Sequence, residues 1–214
     1  MRLLRLPGVF KPPSDSWLLA RAMRDRGLAR DARVLDVFTG SGVLAVAAAL
    51  AGAREVTAVD VSRRAALCAR VNGRLNGRRV RALSGDLFGP VSGERFDLIT
   101  ANPPYVPGDE IPTAGAARAW EGGFDGRALV DRFAAGVAEH LSPGGRVLMV
   151  VSSLTGEEET LAALRAGGLR AEVVARERGP LGPLVSARAE LLERRGLLAP
   201  GEREEDMLVI EARA

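Results

Sequence analysis

Apolar residues in this chain fall into two alternating rhythms. Short, nearly unbroken apolar runs of strand length occur at 33–38, 55–60, 80–83, 96–101, 146–151, 171–175 and 207–211. Between most of them, apolar positions recur every three or four residues, the spacing that sets one helix face against a core. Those stretches are 14–26, 43–51, 62–76, 128–140 and 157–166. Ser14 or Asp15 is placed to cap the first helix, whose apolar side carries Trp17, Leu18 and Met23, and Ser62 caps the third. A Pro-Gly-Gly turn at 143–145 ends the fourth. Alternation that closes on a strand pair predicts an α/β protein: a Rossmann-like, seven-stranded, mostly parallel sheet with an antiparallel last strand and helices on both faces.

Two stretches break the rhythm. Residues 102–126, rich in Pro and Gly, are too many for a mere connector and are expected to carry binding groups. Residues 178–205 read as an insert between the last two strands, with a short helix at 187–195. No repeat or low-complexity linker divides the chain, so a single domain over 1–214 is expected. Ligands of open α/β sheets bind beyond the carboxyl ends of the strands. The loops after Phe38, Asp60, Leu83 and Ala101 open on that edge, as does the insert.

Composition narrows the chemistry. The 214 residues are 47% hydrophobic and 27% charged, and no apolar run approaches the roughly 18–20 residues that cross a bilayer. Arg5 and Pro7 interrupt the apolar start, which makes a poor signal peptide, so a cytoplasmic protein without membrane contact is expected. Cys68, His140 and Tyr105 are the only residues of their types, which excludes disulfide frameworks and thiolate or paired-His metal sites. Cys68 is expected to pack inward, and His140 to close a helix as a cation at its carboxyl end. A net charge of +3 is a weak field. Its densest part, Arg63, Arg64, Arg70, Arg74, Arg78, Arg79 and Arg81, reads first as a solvated face and second as a patch for RNA or an acidic partner.

Asp36-Val-Phe-Thr39-Gly40-Ser-Gly42 follows one strand and opens a helix. Small residues there let backbone approach a ligand, and a helix start offers unpaired N–H groups to a carboxylate. Asp60 ends the next strand, 24 residues on, where a carboxylate accepts from both ribose hydroxyls. Asp86 follows the third strand and is placed to accept from an adenine amino group. Three carboxylates at successive strand ends form an adenosine-binding pattern, with Thr39, Gly40, Gly42, Val61 and Leu87 beside them. The first turn after Gly42 lacks a third glycine for a pyrophosphate, so S-adenosylmethionine (SAM), released as S-adenosylhomocysteine, suits the pattern better than a dinucleotide. No metal is called for.

Asn102-Pro103-Pro104-Tyr105 follows the fourth strand. Two prolines stiffen the turn, bias Asn102 away from helical geometry and leave carbonyls without competing N–H donors. The Asn102 oxygen and a nearby main-chain carbonyl can then accept both N–H bonds of a planar amino group. Such a nitrogen is a poor nucleophile because its lone pair is delocalised; acceptors aimed at its hydrogens favour the tetrahedral, positive nitrogen of a methyl-transfer transition state. Tyr105 is placed to stack on the planar group or to face the sulfonium. Asn102, Pro103 and Tyr105 are thus the catalytic candidates, and no histidine base is required. The methyl acceptor stays open among a protein side-chain amide, a nucleobase amine of RNA or DNA, and a small-molecule amine. An intact turn argues against a non-catalytic SAM-binding module.

Together these motifs resemble class I SAM-dependent methyltransferases of the HemK type, the release-factor glutamine N5-methyltransferases. Trp120-Glu-Gly-Gly-Phe-Asp-Gly126-Arg127 is similar to a Gly-Gly loop of that family. Phe10-Lys-Pro-Pro-Ser-Asp15-Ser16-Trp-Leu-Leu is similar to the SAM-covering segment of its short archaeal and eukaryotic branch, which places a covering segment and helix within 1–30. The resemblance spans 10–152. It implies that Ser16, Asp36, Gly40, Asp60 and Asp86 contact SAM, and that Asn102 binds the amide of a glutamine, in the Gly-Gly-Gln loop of a release factor. It also implies, for some short-branch members, a small zinc-binding activator subunit. Phe38 stands where the family has its first glycine, so a negative φ is expected there. The helical N-terminal domain of the long bacterial form has no room here, and the 178–205 insert has no counterpart.

Overall fold

The computed structural model describes residues 1–9, 14–110, 112 and 115–214. Phe10 to Pro13 of the expected covering segment, and Ile111, Thr113 and Ala114 of the long loop, lie outside the described residues. Seven strands form one sheet: β1 (Arg33–Val37), β2 (Glu55–Asp60), β3 (Arg81–Ser84), β4 (Phe96–Ala101), β5 (Leu141–Ser152), β6 (Arg170–Pro180) and β7 (Glu204–Arg213). Their order is β3-β2-β1-β4-β5-β7-β6. All neighbours pair in parallel up to β5, and β7 runs antiparallel to both β5 and β6.

The central strands read as apolar runs because both their faces are covered. In β1, Val34 faces one core while Leu35 and Val37 face the other. Helices α1 (Ser14–Asp25), α2 (Val43–Leu50) and α3 (Arg63–Leu75) cover the Val34 side. Helices α4 (Ala128–Val137) and α5 (Glu157–Ala166) cover the other, where Phe133 meets Phe88 and Phe38 with centroids 5.5 and 6.2 Å apart. Ser62 caps α3 through its Oγ, which accepts from Ala65 N at 3.4 Å.

Several expectations need correction. Trp17 is 46% exposed; Leu18, Leu19 and Met23 carry the buried stripe of α1 instead. β6 and β7 are about twice the expected length. Their outer ends alternate charges that pair across the hairpin, Arg176 with Asp206 and Arg178 with Glu204, so the apolar signal that marks a strand is missing there. The insert shrinks accordingly to a hairpin tip at 181–203, carrying α6 (Pro183–Ser186) and α7 (Ala189–Arg194) in place of one helix. The Pro-Gly-Gly segment is a bulge within β5: Leu141 pairs with Phe96, and pairing resumes at Arg146 opposite Leu98.

Residues 1–9 lie along α3. Asn72 exchanges hydrogen bonds with the backbone of Leu4, and Asn76 with that of Arg2, so two side-chain amides replace a strand partner. Cys68 is fully buried, its Sγ donating to the Leu4 carbonyl. His140 ends the helical turn that continues α4, as expected, and is buried there: it stacks on Phe88 at 4.6 Å with Nδ1 at 3.0 Å from the Glu94 carbonyl. Among the described residues no helix is long and apolar enough to cross a membrane.

Candidate active site

The carboxyl ends of β1 to β4 open on one cavity of about 1090 Å³. Its floor is the β1–α2 turn, which Asp36 holds from behind. The Asp36 carboxylate accepts from Thr39 Oγ1 (2.6 Å), Thr100 Oγ1 (2.8 Å) and Ala45 N (3.1 Å). Burial raises its pKa to about 6; the three hydrogen bonds oppose that rise, and Asp60 adds slightly to it. Asp36 and Gly42 do not line the cavity; Asp36 lies wholly buried behind its wall. Gly42 sits in the left-handed region (φ +82°), and a Cβ there would lie 2.6 Å from Ala69 Cα, blocking the contact of α2 with α3.

Phe38 overturns its expectation. Its φ is +60°, in the left-handed region that favours glycine. A left-handed bulky residue costs about 1–2 kcal/mol. Compensation surrounds it: Thr39 N donates to Val59 O at 3.1 Å, Gly42 N to Thr39 O at 2.7 Å, and the Phe38 ring packs on Phe133. Leu87 is left-handed as well (φ +46°).

Asp60 faces the cavity from the end of β2. Its two oxygens accept from Gly40 N (2.9 Å) and Ser62 N (2.8 Å), and each keeps a lone pair for a ligand hydroxyl. Burial raises its pKa, opposed by those two amides and by the nearby Arg118 guanidinium. Asp86 also lines the cavity but is exposed, and it accepts from Arg132 Nη2 at 2.6 Å. Thr39, Gly40, Val61 and Leu87 line the same cavity.

At the other end lie Asn102, Pro103 and Tyr105. Asn102 Nδ2 donates to Ser16 Oγ at 2.9 Å, and its Oδ1 accepts no hydrogen bond from the described residues. Tyr105 donates its hydroxyl to Asp15. Burial, then the Asp15 charge, hold the phenol well above its ordinary pKa. The turn is braced from outside. Val106 N donates to Trp120 O, Gly122 N to Val106 O, and Gly126 packs so close to the Tyr105 carbonyl that any Cβ would collide with it. The hairpin tip clamps this loop: Arg188 reaches Glu121 and the Pro107 carbonyl, and Arg195 reaches Asp109 and the Gly108 carbonyl. Val106, Leu181, Val185, Ala189, Leu192 and Leu198 make a separate small core beneath.

Sequence reasoning gave Asp15, read as a cap and as part of the covering segment, no contact in the site, and did not single out Arg118, Glu205 or the 182–185 wall. The signal for Asp15 was its place next to Ser16; for the others it was regional only, the 102–126 loop and the 178–205 insert on the ligand edge.

A family model described as "Methyltransferase small domain" matches residues 1–179. The chain belongs to that family. A protein of Methanocaldococcus jannaschii, provisionally named a protein N5-glutamine methyltransferase, is 36% identical over 181 residues, covering 84% of this chain and 90% of that one. A release factor glutamine methyltransferase of Deinococcus radiodurans is 39% identical over 170 residues, 75% of this chain and 60% of that longer one. These relatives set the chain among the HemK-type members of the family. Two solved structures share the class I methyltransferase fold. The E. cuniculi Mtq2-Trm112 complex, described as responsible for methylating the eRF1 termination factor, gives a TM-score of 0.66 at 21% identity, covering 96% of this chain and 98% of that one. The T. thermophilus 16S rRNA methyltransferase RsmC, in complex with AdoMet and guanosine, gives 0.64 at 24%, covering all of this chain and 49% of that one.

Proposed function

We propose that this family member transfers a methyl group from SAM to the side-chain amide nitrogen of a glutamine in a protein, the Gly-Gly-Gln loop of a peptide chain release factor. The observation that carries the reading is the Asn102 amide, whose nitrogen is engaged by Ser16 while its oxygen, without a partner among the described residues, can accept from a substrate NH2.

The cavity suits SAM. Its volume lies just above the range for small-molecule sites, about 300–1,000 Å³, which leaves room for a substrate side chain beside the cofactor. Asp60 would hold the ribose, and Gly40 with its neighbours the amino-acid tail. Asp86 would hold the adenine from the rim. Gly8, Val9 and Ser16 line the same space, which supports a covering role for the N-terminal segment. SAM, when bound, supplies an electrophilic methyl on a good leaving group. The chain's own contribution is orientation. Asn102 Oδ1 and a neighbouring carbonyl of the Pro-Pro turn accept the two amide hydrogens, favouring a nitrogen that gives up resonance, and Tyr105 walls the planar group. One such acceptor contributes about 3 kcal/mol, by analogy with oxyanion-hole donors.

The test is incubation with SAM and a release factor, followed by mass analysis of the Gly-Gly-Gln peptide. A gain of one methyl on glutamine is expected; none would refute the reading. A small activator subunit, zinc-binding as in some short-branch members, would be recovered by co-purification from the native host, and both proteins belong in the cytoplasm with the translation machinery. A second reading, methylation of a nucleobase amine, has one observation in its favour. Arg63, Arg64, Arg70, Arg74, Arg78 and Arg79 have no ion pair among the described residues, whereas Arg81 is held by Glu94. Label entering RNA in place of the release factor would select it.

A further inference from the structure

An asparagine side chain has two ends of nearly equal shape and opposite hydrogen-bonding sense. At Asn102 only one orientation can receive an amide NH2; the flipped one would set donor against donor. Ser16 does not choose between them, because a hydroxyl that accepts from Nδ2 can equally donate to Oδ1. We infer that Asp15 makes the choice and is a positioning residue for the acceptor amide, an inference that rests on the methyl-transfer reading above.

Asp15 is only 3% exposed, at the start of α1, and it gathers the site around one carboxylate. Oδ1 accepts from Ser16 N at 2.6 Å and Oδ2 from the Tyr105 hydroxyl, and the carboxylate also interacts with the Asn102 amide. An ionised carboxylate has lone pairs only. The end of Asn102 turned toward it must therefore be the NH2, which leaves Oδ1 for the substrate. Helix α1 and the acceptor turn thus share one hydrogen-bond network, which ties cover to catalysis.

Among the described residues, the titratable groups facing Asp15 are Tyr105 from the turn and Glu205 from the start of β7. Glu205 is itself engaged by Ser152 Oγ and Gly182 N. Burial raises the Asp15 pKa; the bonds from Tyr105, Ser16 and Asn102 oppose this, and Glu205 adds to it. As pH falls through that raised pKa, Asp15 gains a proton to donate and the constraint on Asn102 is released.

The chain itself supplies the probes, since Tyr105 is its only tyrosine and Asn72, Asn76 and Asn102 are its only asparagines. With ¹³Cζ-tyrosine and ¹⁵N-asparagine labels, the Tyr105 and Asn102 signals of the free protein should titrate together in the acid range, and neither should do so in Asp15→Asn. Tyr105→Phe, which removes a bond favouring the ionised form, should move the Asn102 midpoint to higher pH and so tests the idea even if Asp15→Asn fails to fold. In methyl transfer to a release factor, Asp15→Asn should lower kcat about a hundredfold, leave KM for SAM within about twofold and abolish the acid limb. Signals flat across the acid range in the wild type, or a variant with wild-type kcat and acid limb, would overturn the inference. Wild-type protein that methylates no release factor would sink the functional reading alone, because the magnetic resonance titration is independent of substrate.

Discussion

Replacing Asp36 by asparagine separates a wall residue from a ligand. The wild-type carboxyl is wholly buried, and its pKa rises from 3.8 to about 6 chiefly through desolvation. Below 3.8 it is neutral in folded and unfolded states alike. As pH climbs through about 6 the folded state must ionise a buried group, and the stability present at low pH is lost. The loss amounts to about 3 kcal/mol, at about 1.36 kcal/mol for each tenfold change in proton affinity. Asparagine keeps most of the bonds. Its oxygen can replace Oδ2 toward Thr39 and Ala45, and its NH2 can donate to Thr100 Oγ1, whose own proton turns to the Leu35 carbonyl at 3.5 Å. Urea unfolding of both proteins should therefore show the variant gaining on the wild type by about 2 kcal/mol between about pH 4.5 and 7.5. Calorimetry should find its SAM affinity within a few-fold of wild type. A pH-independent difference would refute the account of burial, and loss of SAM binding would return Asp36 to the ligand.

Three further outcomes follow from the geometry. Asp60→Ala removes two charge-assisted acceptors from the ribose position, each contributing about 1.5–3 kcal/mol, so SAM affinity should fall at least a hundredfold by calorimetry; unchanged affinity would overturn the assignment. Asn102→Ala should slow methyl transfer by about 10²–10³ with SAM binding kept, and a rate within tenfold of wild type would remove its acceptor role. Arg188→Ala frees Glu121 and the Pro107 carbonyl, and should raise KM for the protein substrate while leaving SAM affinity unchanged, as measured by steady-state methylation.

The places where sequence reading stopped share a cause. Phe38 looked unable to take a glycine conformation because its cost is local and its compensation is not. That compensation comes from Val59 on β2 and Phe133 on α4, both remote in sequence. The outer halves of β6 and β7 looked like loop because charged cross-strand pairs leave no apolar alternation to read. Trp17 looked like core because its type suggests burial, whereas α1 already fills its contact with Leu18, Leu19 and Met23.

The sequence by itself determined the sheet and the chemistry. Apolar periodicity is a local property, and it placed the central strands and the helices that cover them. The turn residues at the strand ends placed the Gly-rich turn, Asp60 and the Asn102–Tyr105 turn on one edge. Only the tertiary structure decided what each carboxylate does. Asp36, Asp60 and Asp15 are the same side chain, and burial, hydrogen-bond donors and neighbouring charge set them apart. Asp36 is sealed among two hydroxyls and an amide as a wall, and Asp60 is left facing the cavity. Asp15 is drawn from the first helix onto the chain's single tyrosine, 90 residues away. Those distinctions arise from contacts between distant segments, and no local pattern encodes them.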